Sequence, residues 1–270
     1  MNPNEQAGGR VLAVTSGKGG VGKTLVTANL AAAVAAQGRK VAVLDADLGL
    51  ANLDVVLDLH PAFNLHHILH QGIPVQRALM KAPGGFSVLP AGSGLMEYSR
   101  LTPALQQGMR SVVAELAAAH DLVLLDTGAG ISEVVLDTIA MAHEVLVVAT
   151  PEPTALTDAY ATFKVLATLQ RRLRPLLLVN QVTRAGEGLT IAQQMQAVLD
   201  RYLADVGPPR LRMLGELPLD ESARSAVRQR RLVLQCAPGS PLAQGIRAQA
   251  LRLAAWLDAP VPAGPRPDGF

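Results

Sequence analysis

The chain has 270 residues, 49% of them hydrophobic and only 3% aromatic, so its core is aliphatic and large enough for an ordinary to large α/β domain. Its one cysteine, Cys236, excludes an intrachain disulfide and cannot by itself hold an iron–sulfur cluster. The net charge of +2 is uneven, with 9 Lys/Arg against 14 Asp/Glu in residues 1–159 and 15 against 8 in residues 160–270. That asymmetry fits either an anionic partner, such as nucleic acid or a lipid surface, or arginines scattered over solvated helices.

In chain order, residues 1–9 are polar, lack the basic and apolar regions of a signal peptide, and are expected to form a short flexible arm. A strand over Arg10–Thr15 leads into Gly17-Lys18-Gly19-Gly20-Val21-Gly22-Lys23-Thr24, and a helix is expected over 23–37. Its apolar part, Leu25–Ala36, is too short to span a bilayer. Further strands are expected at 40–44, 86–89, 122–125, 145–149, 176–179 and 211–214. Helices are expected at 103–119, 131–142, 154–169, 189–206 and 222–230. Several strands are apolar without alternation, as strands covered on both faces are. A last helix over 241–257 carries the stripe Leu242, Ile246, Leu253 and Leu257, with Arg247 and Arg252 away from it. Residues 259–270 are rich in Pro and Gly and are expected to be a disordered tail. The alternation implies an α/β fold over 10–258: a doubly wound, mostly parallel sheet with helices on both faces and ligands at the carboxyl ends of its strands.

Residues 17–24 satisfy G-x-x-x-x-G-K-[ST] between a strand and a helix, which identifies a phosphate-binding loop. Glycines let successive backbone N–H groups turn toward phosphates at the positive end of the helix. Lys23 is expected to reach the β- and γ-phosphates of a nucleotide, and the Thr24 hydroxyl to bind Mg²⁺. Asp126, ending the apolar strand 122–125, is the expected carboxylate of the magnesium shell, against the plainer role of a turn residue. The following TGAG can act as a switch loop. Asp45 and Asp47 end the strand after the loop helix. One is suited to the metal and one to an attacking water, although both could simply cap the next helix.

Three further features fit plainer roles. His66 and His70 stand four apart, but no carboxylate or cysteine nearby completes a metal site. Arg224, Arg228, Arg230 and Arg231 form a basic cluster without interleaved aromatics, which favours a partner-binding or solvated face over DNA. Cys236 reads as structural.

GKGGVGKT resembles the deviant Walker A motif of the MinD/ParA group of P-loop ATPases, whose extra lysine is its signature. The likeness runs from about Arg10 to about Arg231. It implies ATP and Mg²⁺ as cofactors and an ATP-dependent homodimer in which Lys18 reaches the partner's nucleotide, as an arginine finger does. By the same likeness Asp47 is the catalytic switch aspartate and Asp126 the Walker B aspartate. Glu152 falls where the group has a carboxylate near the dimer interface, and Asn180, Pro218 and Asp220 lie in segments that hold the adenine. DADLGLANLDVVLDL, DTGAGIS, PEPTALTDAY and PLDESARSAVRQRR are most similar to the FlhG (FleN) branch, MinD-like ATPases that limit flagellar number. That branch implies slow, partner-stimulated hydrolysis. It also implies a flagellar transcription factor or a polar SRP-type GTPase as partner, in the cytoplasm or peripherally at the inner membrane or cell pole. Two departures stand out: EQAGGR replaces the branch's DQAxxLR element, and a Pro-rich tail stands where a membrane helix is expected. The alternatives are a ParA-type DNA-partitioning ATPase and a MinD-type regulator of the division site. A nitrogenase-reductase-like enzyme is opposed by the lone cysteine.

Overall fold

The computed structural model describes residues 8–49, 51–92, 101–169, 174–205 and 207–259. Most of the expected N-terminal arm and all but the first residue of the expected tail lie outside these residues, as do Glu5, Gln6 and Ala7 of the EQAGGR segment. The elements in chain order are β1 (Arg10–Ser16), α1 (Lys23–Ala35), β2 (Val41–Ala46), α2 (Leu53–Val56), α3 (Leu65–Gln71), α4 (Val75–Ala78), β3 (Met80–Lys81), β4 (Ser87–Leu89), α5 (Pro103–Ala119) and β5 (Leu122–Ala129). Then follow α6 (Glu133–Ile139), β6 (Glu144–Ala149), α7 (Pro153–Leu169), β7 (Arg174–Val182), α8 (Glu187–Tyr202), β8 (Arg212–Pro218), α9 (Glu221–Arg228), α10 (Val233–Cys236) and α11 (Pro241–Asp258).

The strands form one sheet in the order β3-β4-β2-β5-β1-β6-β7-β8, parallel except for the β3–β4 pair. Successive side chains of a strand point to opposite faces, and β1 shows the consequence. Val11 and Ala13 enter the apolar layer shared with α5, α6, α7 and α8, whereas Leu12 and Val14 enter the layer shared with α1, α10 and α11. This two-sided burial is why the strands read as continuous apolar runs. The stripe expected on the last helix faces the sheet, with Leu242, Ile246 and Leu253 buried. From β1 the chain moves to one side through β2 and returns across β1 to β6. The strand order therefore reverses at β1, and a crevice opens at the carboxyl ends of β5, β1 and β6.

Several boundaries differ from the sequence expectation. β5 continues through Gly128 and Ala129, and Ser132 caps α6 by accepting the Val135 N–H, so that helix begins at Glu133 rather than 131. α9 stops at Arg228 because Arg230 turns into the left-handed region at φ 51. α8 ends at Tyr202, and the expected end at Val206 lies outside the described residues. The strand β3 and the helices α2, α4 and α10 are too short to show a period in sequence.

Candidate nucleotide site

The loop between β1 and α1 lies in that crevice. A Cβ on Gly17 would stand 2.3 Å from the Asp158 carbonyl of α7, so this turn is open only to glycine. Gly22 caps α1 at φ 88, and a Cβ there would lie 2.7 Å from Asn180 Nδ2. Several helices receive a side-chain cap, from Asn64 on α3, Thr102 on α5, Ser132 on α6, Asp220 on α9 and Ser240 on α11. At α8, Glu216 accepts the Gly186 and Gly188 N–H groups, both at 2.7 Å. α1 has neither a capping side chain nor an acidic residue in its first turn. Its leading N–H groups are therefore left for an anion supplied from outside.

A cleft of about 760 Å³ opens over this helix start, lined by Gly19 to Leu25, by Ala46 to Gly49 and by Gly128 and Ala129. Lys23 and Asp126 form a buried ion pair at its base, Nζ to Oδ1 3.1 Å, with side chains 8% and 2% exposed. Thr24 and Asp47 line the cleft. A Cβ built on Gly128 would be 3.5 Å from Asp47 Oδ1, so the Asp47 carboxylate reaches the segment after Asp126.

Asp45 stands beside Asp126 in the parallel register of β2 and β5. It is 1% exposed. Its Oδ1 accepts the Asp47 N–H at 3.2 Å, and its Oδ2 accepts those of Asn52 and Leu53 at 3.1 and 3.0 Å. The carboxylate thus ties Asp47 to the start of α2 at Asn52 and Leu53. Burial, and after it the charge of Asp126, raises its pKa to about 7. The oxygen donors Thr24, Asp126 and Asp45 are hard ligands of the kind Mg²⁺ takes together with substrate phosphates. Among the described residues no group of three His, Cys, Asp or Glu gathers into a protein-only metal site.

Lys18 lies on the outer side of the loop. Its Nζ donates to Glu152 Oε2 at 3.3 Å and to Thr154 Oγ1 at 3.0 Å, and it forms no part of the cleft lining. Glu152 is the carboxylate that the resemblance places near an interface, whereas no local sequence pattern marks Thr154. Asn180 Nδ2 donates to Val21 O at 2.8 Å, tying the end of β7 to the loop. Pro218 ends β8 opposite Val182. Asp220 Oδ1 accepts the Ser222 N–H and Oδ2 the Leu242 N–H, at 2.8 and 3.1 Å, and the first of these bonds holds its pKa below the usual carboxylate range. Asn180 thus meets the loop directly, whereas the Asp220 carboxylate joins the starts of α9 and α11. The His66 and His70 rings lie 4.4 Å apart on α3.

A family model, ParA, described as NUBPL iron-transfer P-loop NTPase, matches residues 9–254. The chain belongs to the ParA family of P-loop NTPases. This ParA-family chain is 39% identical over 257 residues to the antiactivator FleN of Pseudomonas aeruginosa, covering 95% of this chain and 89% of that protein. It is 33% identical over 241 residues to the flagellum site-determining protein YlxH of Helicobacter pylori, covering 88% and 79%. Its structure superposes on the cell division ATPase MinD of Pyrococcus furiosus with a TM-score of 0.76 at 27% identity, covering 92% and 99% of the two chains. The septum site-determining protein MinD of Pyrococcus horikoshii, complexed with Mg-ADP, matches with a TM-score of 0.74 at 25% identity, covering 92% and 97%. The ParA-family protein is an ATPase whose cofactors are ATP and Mg²⁺. Among its described residues no helix is long and apolar enough to cross a membrane.

Proposed function

We propose that the protein is an ATP-driven switch of the FleN kind: it dimerises face to face with ATP, resets by slow hydrolysis and regulates flagellar number or placement through partner proteins. The observation that carries the reading is the placement of Lys18. A second loop lysine held at the surface by Glu152 and Thr154, outside its own cleft, is positioned to serve a nucleotide in a facing subunit. The likeness to FleN and YlxH supports the flagellar assignment.

In this reading the loop N–H groups and Lys23 hold the phosphates, and Thr24 and Asp126 hold Mg²⁺, with Asp45 fixing the turn beside them. Bound Mg²⁺ supplies charge neutralisation on the β- and γ-phosphates. Lys18 of the facing subunit adds charge at the transferred phosphoryl group, with Glu152 nearby at the interface. Asp47, at the cleft wall, orients the attacking water. Asn180, Pro218 and Asp220 border the adenine. The partner is a flagellar transcription factor or a polar SRP-type GTPase, met in the cytoplasm or at the inner membrane or cell pole.

Asp47→Ala should bind ATP, stall before hydrolysis and elute as a dimer from a sizing column, whereas wild type returns to monomer as ATP is consumed. A variant that stays monomeric in ATP yet hydrolyses at the wild-type rate overturns the switch. Flagella counted by electron microscopy in cells lacking the chain, with and without a restoring copy, test the flagellar assignment.

One observation favours a second reading, DNA partitioning. Arg224, Arg228 and Arg231 are exposed in one short stretch, while Arg230 pairs with Asp58 at 3.1 Å. That reading requires ATP-dependent, salt-sensitive binding to random duplex DNA that is lost when these arginines are removed.

A further inference from the structure

Thr27 stands one helical turn beyond Lys23, buried completely at 0% exposure, on the side of α1 that meets β5. Its Oγ1 lies 3.1 Å from Asp126 Oδ1 and 2.9 Å from the Lys23 carbonyl oxygen. Lys23 Nζ reaches the same Asp126 Oδ1, also at 3.1 Å. Two donors from positions i and i+4 of one helix thus converge on a single carboxylate oxygen, across about a hundred residues of chain. The Thr27 hydroxyl has one hydrogen and two acceptors within reach, so it serves one acceptor at a time.

We infer that Thr27 is a positioning residue for Asp126: its hydroxyl keeps the carboxylate oriented when Lys23 leaves it for the nucleotide's phosphates. The inference rests on the reading of Asp126 as the carboxylate of the magnesium shell. With the cleft empty, Lys23 satisfies Asp126 and the Thr27 hydrogen is free to serve the Lys23 carbonyl. When phosphate draws the ammonium away, Asp126, only 1% exposed, loses its ion-pair partner. A buried carboxylate stripped of its donor is costly and free to turn. Rotation of the Thr27 hydroxyl onto Oδ1 restores a donor without moving the backbone, because the distance is already that of a hydrogen bond. Asp126 Oδ2 takes neither donor and is left for the metal's shell. A valine at position 27 would keep the shape and lose the hydrogen bond; a serine would keep the bond.

The test uses the full chain and the fluorescent nucleotide mant-ADP, titrated with Mg²⁺. Thr27→Val and Thr27→Ala should raise the Mg²⁺ concentration for half-maximal binding by about tenfold, as loss of an outer-shell partner typically does, while Thr27→Ser stays within about twofold of wild type. Affinity for mant-ADP in EDTA should be the same in all four proteins, which a merely structural defect in α1 would not allow. Magnesium titrations of Thr27→Val and Thr27→Ala that overlay wild type overturn the inference, as does a Thr27→Ser variant that falls with them. A wild-type protein whose mant-ADP binding ignores Mg²⁺ overturns the site reading itself, and this inference with it.

Discussion

Asp45 shows how a residue's surroundings set its chemistry. Three backbone N–H groups favour its charged form, yet burial and the neighbouring Asp126 outweigh them and raise its pKa to about 7. In the nucleotide-free protein the folded state therefore holds a proton that the unfolded chain, with an ordinary carboxylate, has already released. Between about pH 4 and pH 7 the folded state binds more protons, so this group's contribution to stability falls as pH rises, by up to about 1.4 kcal/mol per unit. His143 works in the opposite sense. Burial, then Arg10, lowers its pKa, so its contribution rises with pH until it is complete near the unfolded value. The difference between wild type and Asp45→Asn removes the histidine from the comparison. The variant's urea midpoint is expected to decline less between pH 5 and pH 7 than the wild-type midpoint, and equal slopes would refute the shifted carboxyl.

At the scale of elements, helix starts separate structural from functional positions. Thr102, Ser132, Asp220 and Ser240 cap their helices from within the same local stretch, because a capping side chain acts on N–H groups two or three residues away. The cap of α8 is not legible in this way. Glu216 reaches Gly186 and Gly188 from β8, about thirty residues along the chain, and no local pattern records it. Glu216→Ala should cost about 1–3 kcal/mol through unpaired donors at a helix start, read as a lowered thermal midpoint with nucleotide binding unchanged. α1, a long helix with neither a capping side chain nor an acidic first turn, is the one the phosphate loop precedes. Its apolar sequence also lacks a polar face, because both the sheet and α11 cover it. The strands were legible to within a few residues, but the extension of β5 through Gly128 and Ala129 was not. Pairing with β1 at Ser16 holds those residues extended where their own preferences indicate a turn.

At the scale of the molecule, the sheet reversal at β1 opens a crevice whose lining is gathered from the ends of β1, β2 and β5. A ligand that binds only the folded protein stabilises it by mass action, by about 2.7 kcal/mol at a hundredfold excess over Kd, and so raises its thermal midpoint. ADP with Mg²⁺ should therefore shift the melting transition upward, and EDTA should remove most of the shift while leaving the melting of the nucleotide-free protein where it was. A shift that survives chelation would place the metal outside the binding energy. The amino-acid order by itself determined the phosphate loop, the carboxylates Asp45 and Asp126 that follow apolar strand runs, and the alternating architecture. Each is written in neighbouring residues: glycine spacing, apolar runs and short-range periodicity. Only the tertiary structure decided that Lys18 faces Glu152 and Thr154, that Asp45 accepts the N–H groups of Asp47, Asn52 and Leu53, and that Thr27 shares an oxygen of Asp126 with Lys23. The physical reason is that a hydrogen bond is fixed by distance in space. Those partners come from strands and helices whose proximity exists only once the sheet is assembled.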